Sequence, residues 1–259
     1  MVLYLCLIPN CGARIGHQTD DHFKVVAYCK KNDFIFVYHP FMKKSKNFED
    51  VLKFGTLHDN DYENTKETVN EIINIKDLSV SNVHNSLIKM HKSDKKIMLF
   101  DNLQGNENFH KNYNINEYDV TETKKTYRNK LMEYFPNYSN SPYICIHIRR
   151  GDIINMPSRY LSTEYFINKY IELLNKIETK DLPVYVITED NFDEESLLYE
   201  NIKTCNIIKT DEITSFYYLV NCSYLVASRS GFSNLAYILG DMKVLVAPQD
   251  WNPYWDNTL

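Results

Sequence analysis

Hydrophobic and polar positions follow two periods along this chain, and the two periods alternate. Short apolar runs are typical of buried strands, whereas apolar residues at every third or fourth position are typical of helices that cover a sheet. In the first half these patterns predict strands over residues 2–8, 33–39 and 96–100, a loop over 10–16, and helices over 19–31 and 121–135. The rest of this half is polar, apart from an amphipathic stretch at 69–75, and residues 101–120 are predicted to form a loop.

The second half repeats the alternation more regularly. Its predicted strands are residues 143–148, 184–188, 207–208, 224–227 and 244–247, and its predicted helices begin near Ser162 and cover 193–200, 211–221 and 232–240. Strands that alternate with helices favour a parallel sheet with right-handed crossovers. Because the polar stretch 134–142 separates the halves, we predict an α/β protein with an N-terminal domain at 1–140 and a C-terminal domain at 141–259.

Composition narrows the class of protein. A chain of 259 residues that is 44% hydrophobic can bury sizeable cores. Its net charge of -5 argues against a nucleic-acid binder, which normally has a basic face. The apolar run 2–8 lacks a basic flank, so we expect no signal peptide, no membrane span and a cytoplasmic protein. Cys6, Cys145 and Cys222 lie among apolar residues without C-x-x-C spacing, which favours buried thiols over metal ligands.

Polar side chains follow several predicted strands at the points where those strands end. They are Arg14, Gly16, His17 and Gln18; Arg149, Arg150 and Asp152; Thr188, Glu189 and Asp190; and Ser228, Arg229 and Ser230, which continue into Gly231, Phe232 and Ser233. Ligands of parallel sheets bind at the carboxyl ends of the strands, so we expect one shared ligand there. Taken singly, each group also has a structural interpretation, as a salt-bridged turn, a set of helix caps or surface histidines.

The residue types indicate a nucleoside diphosphate. Arginine presents a planar fork of donors that matches phosphate oxygens, and a helix that begins near Gly231 adds backbone N–H groups. Asp190 can accept two N–H donors from a guanine edge, although uracil stays possible. The chain has neither a G-x-x-x-x-G-K-[ST] phosphate loop nor a G-x-G-x-x-G turn. No clear Asp-x-Asp pair follows a strand, so we expect arginine to neutralise the leaving group without a metal or other cofactor.

Five segments together resemble the α1,2-, α1,6- and protein O-fucosyltransferase superfamily. HIRRGD at 147–152 resembles its His-x-Arg-Arg-x-Asp motif. GARIGHQTDDHF at 12–23 resembles the Gly-x-x-Gly-Asn-Gln segment that opens these enzymes, and YLSTEYF at 160–166 resembles the segment after the arginine motif. VYVITED at 184–190 and YLVASRSGFSNLAYILG at 224–240 resemble the strand that ends in two acids and the Ser-Ser-Phe-Ser helix start. The order and spacing of all five agree.

The resemblance implies a glycosyltransferase B architecture with two Rossmann-like domains. It also implies a metal-independent, inverting transfer from GDP-fucose, so that the partners would be a nucleotide-sugar donor and a glycan or glycoprotein acceptor. Arg149 would contact the β-phosphate, His147 would lie under the nucleotide, and Asp190 would bind guanine. Because side chains alternate along a strand, Arg149 shares a face with His147. Arg150 would therefore be a salt-bridge partner of a neighbour, a support for Arg149 or a sugar contact.

The same resemblance assigns the remaining candidates. Those implied to hold the phosphates are Ser230, Gly231, Phe232 and Ser233, with Ser228 and Arg229 as further substrate contacts, while Arg14, Gly16, His17 and Gln18 would face the sugar and the acceptor. No catalytic base transfers from the resemblance. From the residues, the candidates are His17, Asp20, Asp21, His22 and Asp152, and the alternative role of Asp152 is to hold an arginine in place.

Several residues depart from the family pattern. His17 replaces the usual Asn, Arg229 replaces a small polar residue, and Glu189 replaces an Asp. Pro157 falls near the position where some relatives have a candidate acid. These departures leave two alternatives open: a glycosyltransferase that uses another GDP-sugar or a UDP-sugar, and an inactive relative that binds nucleotide or glycan.

Overall fold

The structure, a computed structural model, describes residues 3–9, 14–41, 46–52, 55, 58–69, 71–74, 96–101, 121–135, 141–190 and 192–248. The chain divides into two compact units, Met1–Tyr134 and Phe135–Leu259. The division follows Tyr134, whereas the sequence predicts the domain boundary at residue 140. Each unit contains its own parallel β-sheet.

The first unit is built on a sheet with the strand order β2-β1-β4-β3. The strands are β1 (Leu3–Ile8), β2 (Ile35–Val37), β3 (Glu71–Asn74) and β4 (Lys96–Asp101). The helices of the described residues are α1 (Ile15–Lys31), α2 (Lys46–Leu52), α3 (Tyr62–Lys66) and α4 (Thr121–Tyr134). α1 packs against β1 and β2, and α4 packs against α1 and α2. The sheet and its helices thus bury a common core that includes Leu5, Phe23 and Leu131.

The first unit differs from the sequence prediction at several points. α1 begins at Ile15 and not at Thr19, because the extended Arg14 precedes the helix and its carbonyl accepts from the Gln18 N–H at 3.3 Å. Burial of Ile15 offsets the cost of about 1 kcal/mol for glycine at position 16 of the helix. The amphipathic stretch contains strand β3, and the short helices α2 and α3 were not predicted. Of the loop predicted at 101–120, Asp101 ends β4 and the rest lies outside the described residues.

The second unit is built on a sheet with the strand order β7-β6-β5-β8-β9. The strands are β5 (Ile144–His147), β6 (Val184–Ile187), β7 (Cys205–Ile208), β8 (Tyr224–Val226) and β9 (Val244–Val246). The helices of the described residues are α5 (Thr163–Lys176), α6 (Glu195–Asn201), α7 (Glu212–Asn221) and α8 (Gly231–Leu239). All of these elements agree with the predicted strands and helices, apart from shifts at their ends.

Helices cover both faces of the second sheet. α5 packs against β8, β9 and α6, whereas α7 packs against β5, β6 and α8. On the α5 side, Ile146 and Val186 of the strands meet Phe166 and Leu173 in one fully buried cluster. Cys145 is buried as well, as predicted, and so are Cys6 and Cys222. None of the described helices is long and apolar enough to cross a membrane.

Side chains at the helix starts explain where the helices of the second unit begin. The Ser162 hydroxyl accepts from the Tyr165 N–H at the start of α5, and the Asp211 carboxylate accepts from two N–H groups at the start of α7. Ser230 caps α8 in the same way, since its Oγ accepts from the Phe232 N–H at 3.2 Å. Such caps contribute about 1 kcal/mol each.

Candidate active site

The chain leaves the neighbouring strands β5 and β8 towards opposite sides of the second sheet, at the edge where the predicted site residues lie. From β5 the chain continues to β6 and β7 on one side, and from β8 it continues to β9 on the other side. In open parallel sheets, ligands bind outside the carboxyl ends of the strands at this kind of switch point. His147 ends β5, Ser228 follows β8, and α8 begins at Gly231. The topology therefore brings three of the predicted groups to one place.

His147 joins the end of β5 to the start of α8. Its Nδ1 lies 2.5 Å from the Ser233 Oγ and 3.4 Å from the Ser228 Oγ. The ring also contacts Phe232, with 5.6 Å between ring centroids. Burial and, to a smaller extent, the positive charge of Arg149 lower the pKa of His147 to about 3. The imidazole is therefore neutral at pH 7.

Arg149 is held by the acid three residues further on. Its Nη2 donates to both carboxylate oxygens of Asp152 at 3.0 Å, and its Nε donates to Oδ1 at 3.3 Å. Within the described residues, Nη1 of Arg149 donates to no protein atom. The Asp152 side chain is 39% exposed, so one edge of this ion pair meets solvent. The arginine is thus oriented by Asp152 and keeps donors for a ligand.

Arg150 has a different environment, although it is the next residue. Its Nη1 donates to the carbonyls of Arg149 (3.1 Å) and Leu161 (2.9 Å), and its Nη2 donates to Thr163 Oγ1 (2.9 Å) and Glu194 (3.2 Å). The guanidinium also lies over two aromatic rings, those of Tyr160 and Phe192. With only 4% of its surface exposed, Arg150 is a structural ion. Of the roles considered for Arg150, the structure shows the salt bridge, which Arg150 forms with Glu194.

The two acids after β6 point to different environments. Glu189 Oε2 accepts from the Arg150 backbone N–H at 2.6 Å, while the side chain of Asp190 is exposed. Neither acid caps a helix, because α6 begins only at Glu195. The alternative that these acids form a helix cap is therefore wrong, whereas the cap predicted at Ser230 is confirmed.

Arg229, which stands between two serines of the site, reaches towards the chain that follows the arginine motif. Its Nη1 donates to the Ser158 carbonyl at 3.0 Å. That carbonyl lies in an exposed segment with Met156 and Pro157. Arg229 thus ties the segment after Asp152 to the end of β8.

The candidates of the first unit lie on α1 and not in a loop. Gly16 and Gln18 are buried in its first turns and Arg14 is exposed before them, while the side chain of His17 lies outside the described residues. Asp21 and His22 are buried on the same helix. Both residues lie within the helix predicted over 19–31.

The turn at Arg149, Arg150 and Gly151, here called the arginine turn, is supported by two glutamates. Sequence reasoning missed both of these contacts. Glu194 is 44 residues away from Arg150 in the chain and Glu189 is 39 residues away, so local spacing contains no signal for either contact. A usable signal for Glu189 was its place at the end of a strand that neighbours β5. The sequence does show that position, but not which of the two acids turns inward.

Comparisons with solved structures define the class of protein. POFUT1 in complex with GDP-fucose is 14% identical and matches with a TM-score of 0.55, covering 94% of this chain and 97% of POFUT1. E. coli heptosyltransferase WaaC with ADP-2-deoxy-2-fluoro heptose is 12% identical and matches with a TM-score of 0.51, covering 99% of this chain and 91% of WaaC. The fold is that of the glycosyltransferase B class, as predicted.

The family follows from the sequence. The family model described as glycosyl transferase family 11 matches residues 80–254, which is more than half of the chain. The chain belongs to this family, and it is a glycosyltransferase. The resemblance to the fucosyltransferase superfamily is thereby confirmed. A comparison with curated proteins gives no significant match.

Proposed function

We propose that the protein transfers fucose from GDP-fucose to a hydroxyl of a glycan or glycoprotein, with inversion at the anomeric carbon and without a metal ion. The observation that carries this proposal is Arg149, which Asp152 orients in the turn after β5, two residues from His147, whose ring contacts the start of α8. A guanidinium in this position offers donors to the diphosphate of a nucleotide sugar.

The start of α8 supports the binding of a diphosphate beside Arg149. The helix has nine residues, and the backbone N–H groups at its N-terminus, with the positive end of its dipole, favour phosphate oxygens. The hydroxyls of Ser228, Ser230 and Ser233 already have partners in the protein. We therefore assign the phosphate contacts at this helix to backbone N–H groups, including that of Gly231, more than to the hydroxyls.

The nucleoside is assigned to the neighbouring strand ends. Asp190 follows β6, and its exposed carboxylate is suited to accept two N–H donors from guanine. His147 is neutral, so it places no positive charge under the base. Arg14 and His17 remain the proposed contacts of the sugar and the acceptor, whereas Gly16 and Gln18 are buried in the first turns of α1 and are no longer assigned to them.

The chemical step is a displacement at the anomeric carbon of fucose. The oxygen of the acceptor hydroxyl forms the new glycosidic bond on the face opposite GDP, while the bond to the β-phosphate oxygen breaks and GDP leaves with the bonding electron pair. The proton of the hydroxyl passes to a general base, for which we retain His17 and Asp20 as candidates. Arg149 stabilises the charge that develops on the diphosphate, and one preorganised donor of this kind commonly contributes about 10²–10³ in rate. Asp152 acts on Arg149 as an orienting partner.

The donor is tested by nucleotide release with purified protein. We expect GDP to be released from GDP-fucose, and not from GDP-mannose, a UDP-sugar or an ADP-sugar at comparable rates. If nucleotide is released only from another donor, that donor replaces GDP-fucose in this proposal. Binding of GDP-fucose without release, in the presence of a panel of glycan acceptors, would favour a binding protein that lacks turnover.

Metal independence is tested on the same reaction. Because arginine neutralises the leaving group, activity should persist in excess EDTA. Loss of activity on chelation, with recovery on addition of magnesium or manganese, would contradict the proposed role of Arg149 as the principal countercharge.

A further inference from the structure

We propose that Glu189 is a positioning residue of the transfer reaction, which acts by fixing the peptide between Arg149 and Arg150 and thereby the direction of the Arg149 side chain. The inference rests on the proposed function of Arg149 as the diphosphate ligand. It concerns the half-buried acid after β6, whose carboxylate accepts from the Arg150 N–H.

The backbone turns sharply directly after Arg149. Arg150 has φ of -126° and ψ of -92°, and Gly151 has φ of +29°, in the region that side chains with a Cβ rarely adopt. A Cβ on Gly151 would lie 3.1 Å from Oε1 of Glu189. Glycine is therefore favoured here by its conformation, and a Cβ would in addition have to displace the Glu189 carboxylate.

The peptide that joins the two arginines is held at both of its polar ends. Its N–H donates to Oε2 of Glu189 at 2.6 Å, and its carbonyl accepts from Nη1 of Arg150 at 3.1 Å. A peptide with both groups bonded cannot rotate without breaking one of them. Because the Cα of Arg149 belongs to this peptide plane, its orientation sets where the Arg149 side chain begins.

The rest of the turn is anchored more deeply. The Arg150 guanidinium is bonded to the Leu161 carbonyl, to Thr163 and to Glu194, so it cannot move to compensate for a shift of the peptide. Glu189 thus closes a rigid frame from which Arg149 projects. A misplacement of a catalytic group by about 1 Å can lower a rate by about 10²-fold.

The experiment compares Glu189→Ala with Glu189→Gln and with Glu200→Gln, a control on an exposed acid of α6. Turnover of GDP-fucose and urea denaturation are measured for each. Glu189→Ala removes the acceptor and should lower kcat by about 10- to 100-fold. Glu189→Gln keeps an acceptor oxygen with a weaker bond and should lose about fivefold. The control should match the wild type in both measurements.

A double-mutant cycle with Arg149→Lys separates positioning from general destabilisation. If Glu189 acts through Arg149, Glu189→Ala should change kcat by less than about threefold in the Arg149→Lys background, because the guanidinium that it positions is gone. Equal fold-losses in both backgrounds would overturn the inference, as would full activity of Glu189→Ala. An Arg149→Lys variant with full activity would instead contradict the proposed function itself. Should Glu189→Ala fail to fold, Glu189→Gln carries the same cycle.

Discussion

Both units bury a cluster of polar side chains, and the two clusters are built in opposite ways. In the first unit, His22 Nε2 lies 2.5 Å from the Tyr127 hydroxyl, and His58 Nε2 lies 3.1 Å from the same hydroxyl. Phe36 and Tyr38 enclose these groups. In the second unit, the arginine turn consists of charged groups bonded to carboxylates at a sheet edge. One cluster is neutral and enclosed, and the other is charged and reaches solvent at Asp152.

Their protonation explains the difference. Burial, followed by the charge of His58, holds the pKa of His22 well below its usual value, and burial lowers the pKa of His58 to about 4. Neutral groups that satisfy each other's hydrogen bonds can be buried at little cost, whereas a buried charge needs a partner. His22 was a candidate base, but its ring is enclosed and bonded to Tyr127. The arginine turn is the better site for chemistry because it keeps donors and charge at an exposed edge.

The largest expected effect on the free energy of unfolding is a difference between the two adjacent arginines. Arg150→Met removes a buried cation and leaves several acceptors without a donor, so the free energy of unfolding should fall by about 3 kcal/mol. Arg149→Met breaks an ion pair with the half-exposed Asp152 and should cost about 1 kcal/mol or less. Urea denaturation of both variants measures the difference. Equal losses would mean that the two arginines share one structural role.

The next largest effect is on nucleotide binding at the end of β6. Asp190→Asn should weaken GDP binding by about 1.5–3 kcal/mol, because it removes the charge from a hydrogen-bonded pair, and should leave UDP binding nearly unchanged. Calorimetry with both nucleotides tests this, with Asp193→Asn as a control on another exposed acid. Unchanged affinity for GDP would remove the assignment of guanine to this strand end.

The enclosed cluster is expected to affect stability and not turnover. Tyr127→Phe removes the hydroxyl shared by two histidines and should lower the free energy of unfolding by about 1–3 kcal/mol. At a temperature where the variant is folded, its kcat should equal that of the wild type. A fall in kcat without a fall in stability would assign a functional role to the histidine cluster and break the comparison between the units.

The smallest effect is a dependence of stability on pH. Since the folded state holds His58 and His22 neutral, the unfolded state binds more protons once the pH falls below about 6.5, and stability decreases from there towards pH 4. His147 contributes in the same direction. The urea midpoint should therefore be lower at pH 5.5 than at pH 7.5, and His58→Gln should reduce that difference. A higher midpoint at pH 5.5 would contradict the neutral state of the cluster.

The second unit could be predicted from the sequence better than the first, for physical reasons. Its strands are continuous apolar runs, and its helices begin at Ser162, Asp211 and Ser230, whose side chains accept from the first turns. The first unit contains short elements such as β3 and α2, whose stability comes from tertiary contacts that local patterns do not contain. The same holds for the bond between Glu189 and the Arg150 backbone.

The sequence argument distinguished the two arginines by the alternation of side chains along a strand, but β5 ends at His147 and both arginines lie in the turn that follows. Of the roles left open for Arg150, the salt bridge is present, since Nη2 donates to Thr163 and Glu194. The role of Arg149 at a diphosphate remains the prediction on which the proposed function depends.

The most direct test of that role is the steady-state turnover of Arg149→Lys with GDP-fucose, compared with Arg150→Lys at equal concentrations of folded protein. Lysine keeps the charge but loses the fork of donors, so Arg149→Lys should lose about 10²–10³ in kcat while its circular dichroism is unchanged. Arg150→Lys should retain more activity per folded molecule, because its side chain is bound by protein groups. The reverse order would make Arg150 the phosphate ligand, and full activity of both variants would contradict the proposed mechanism.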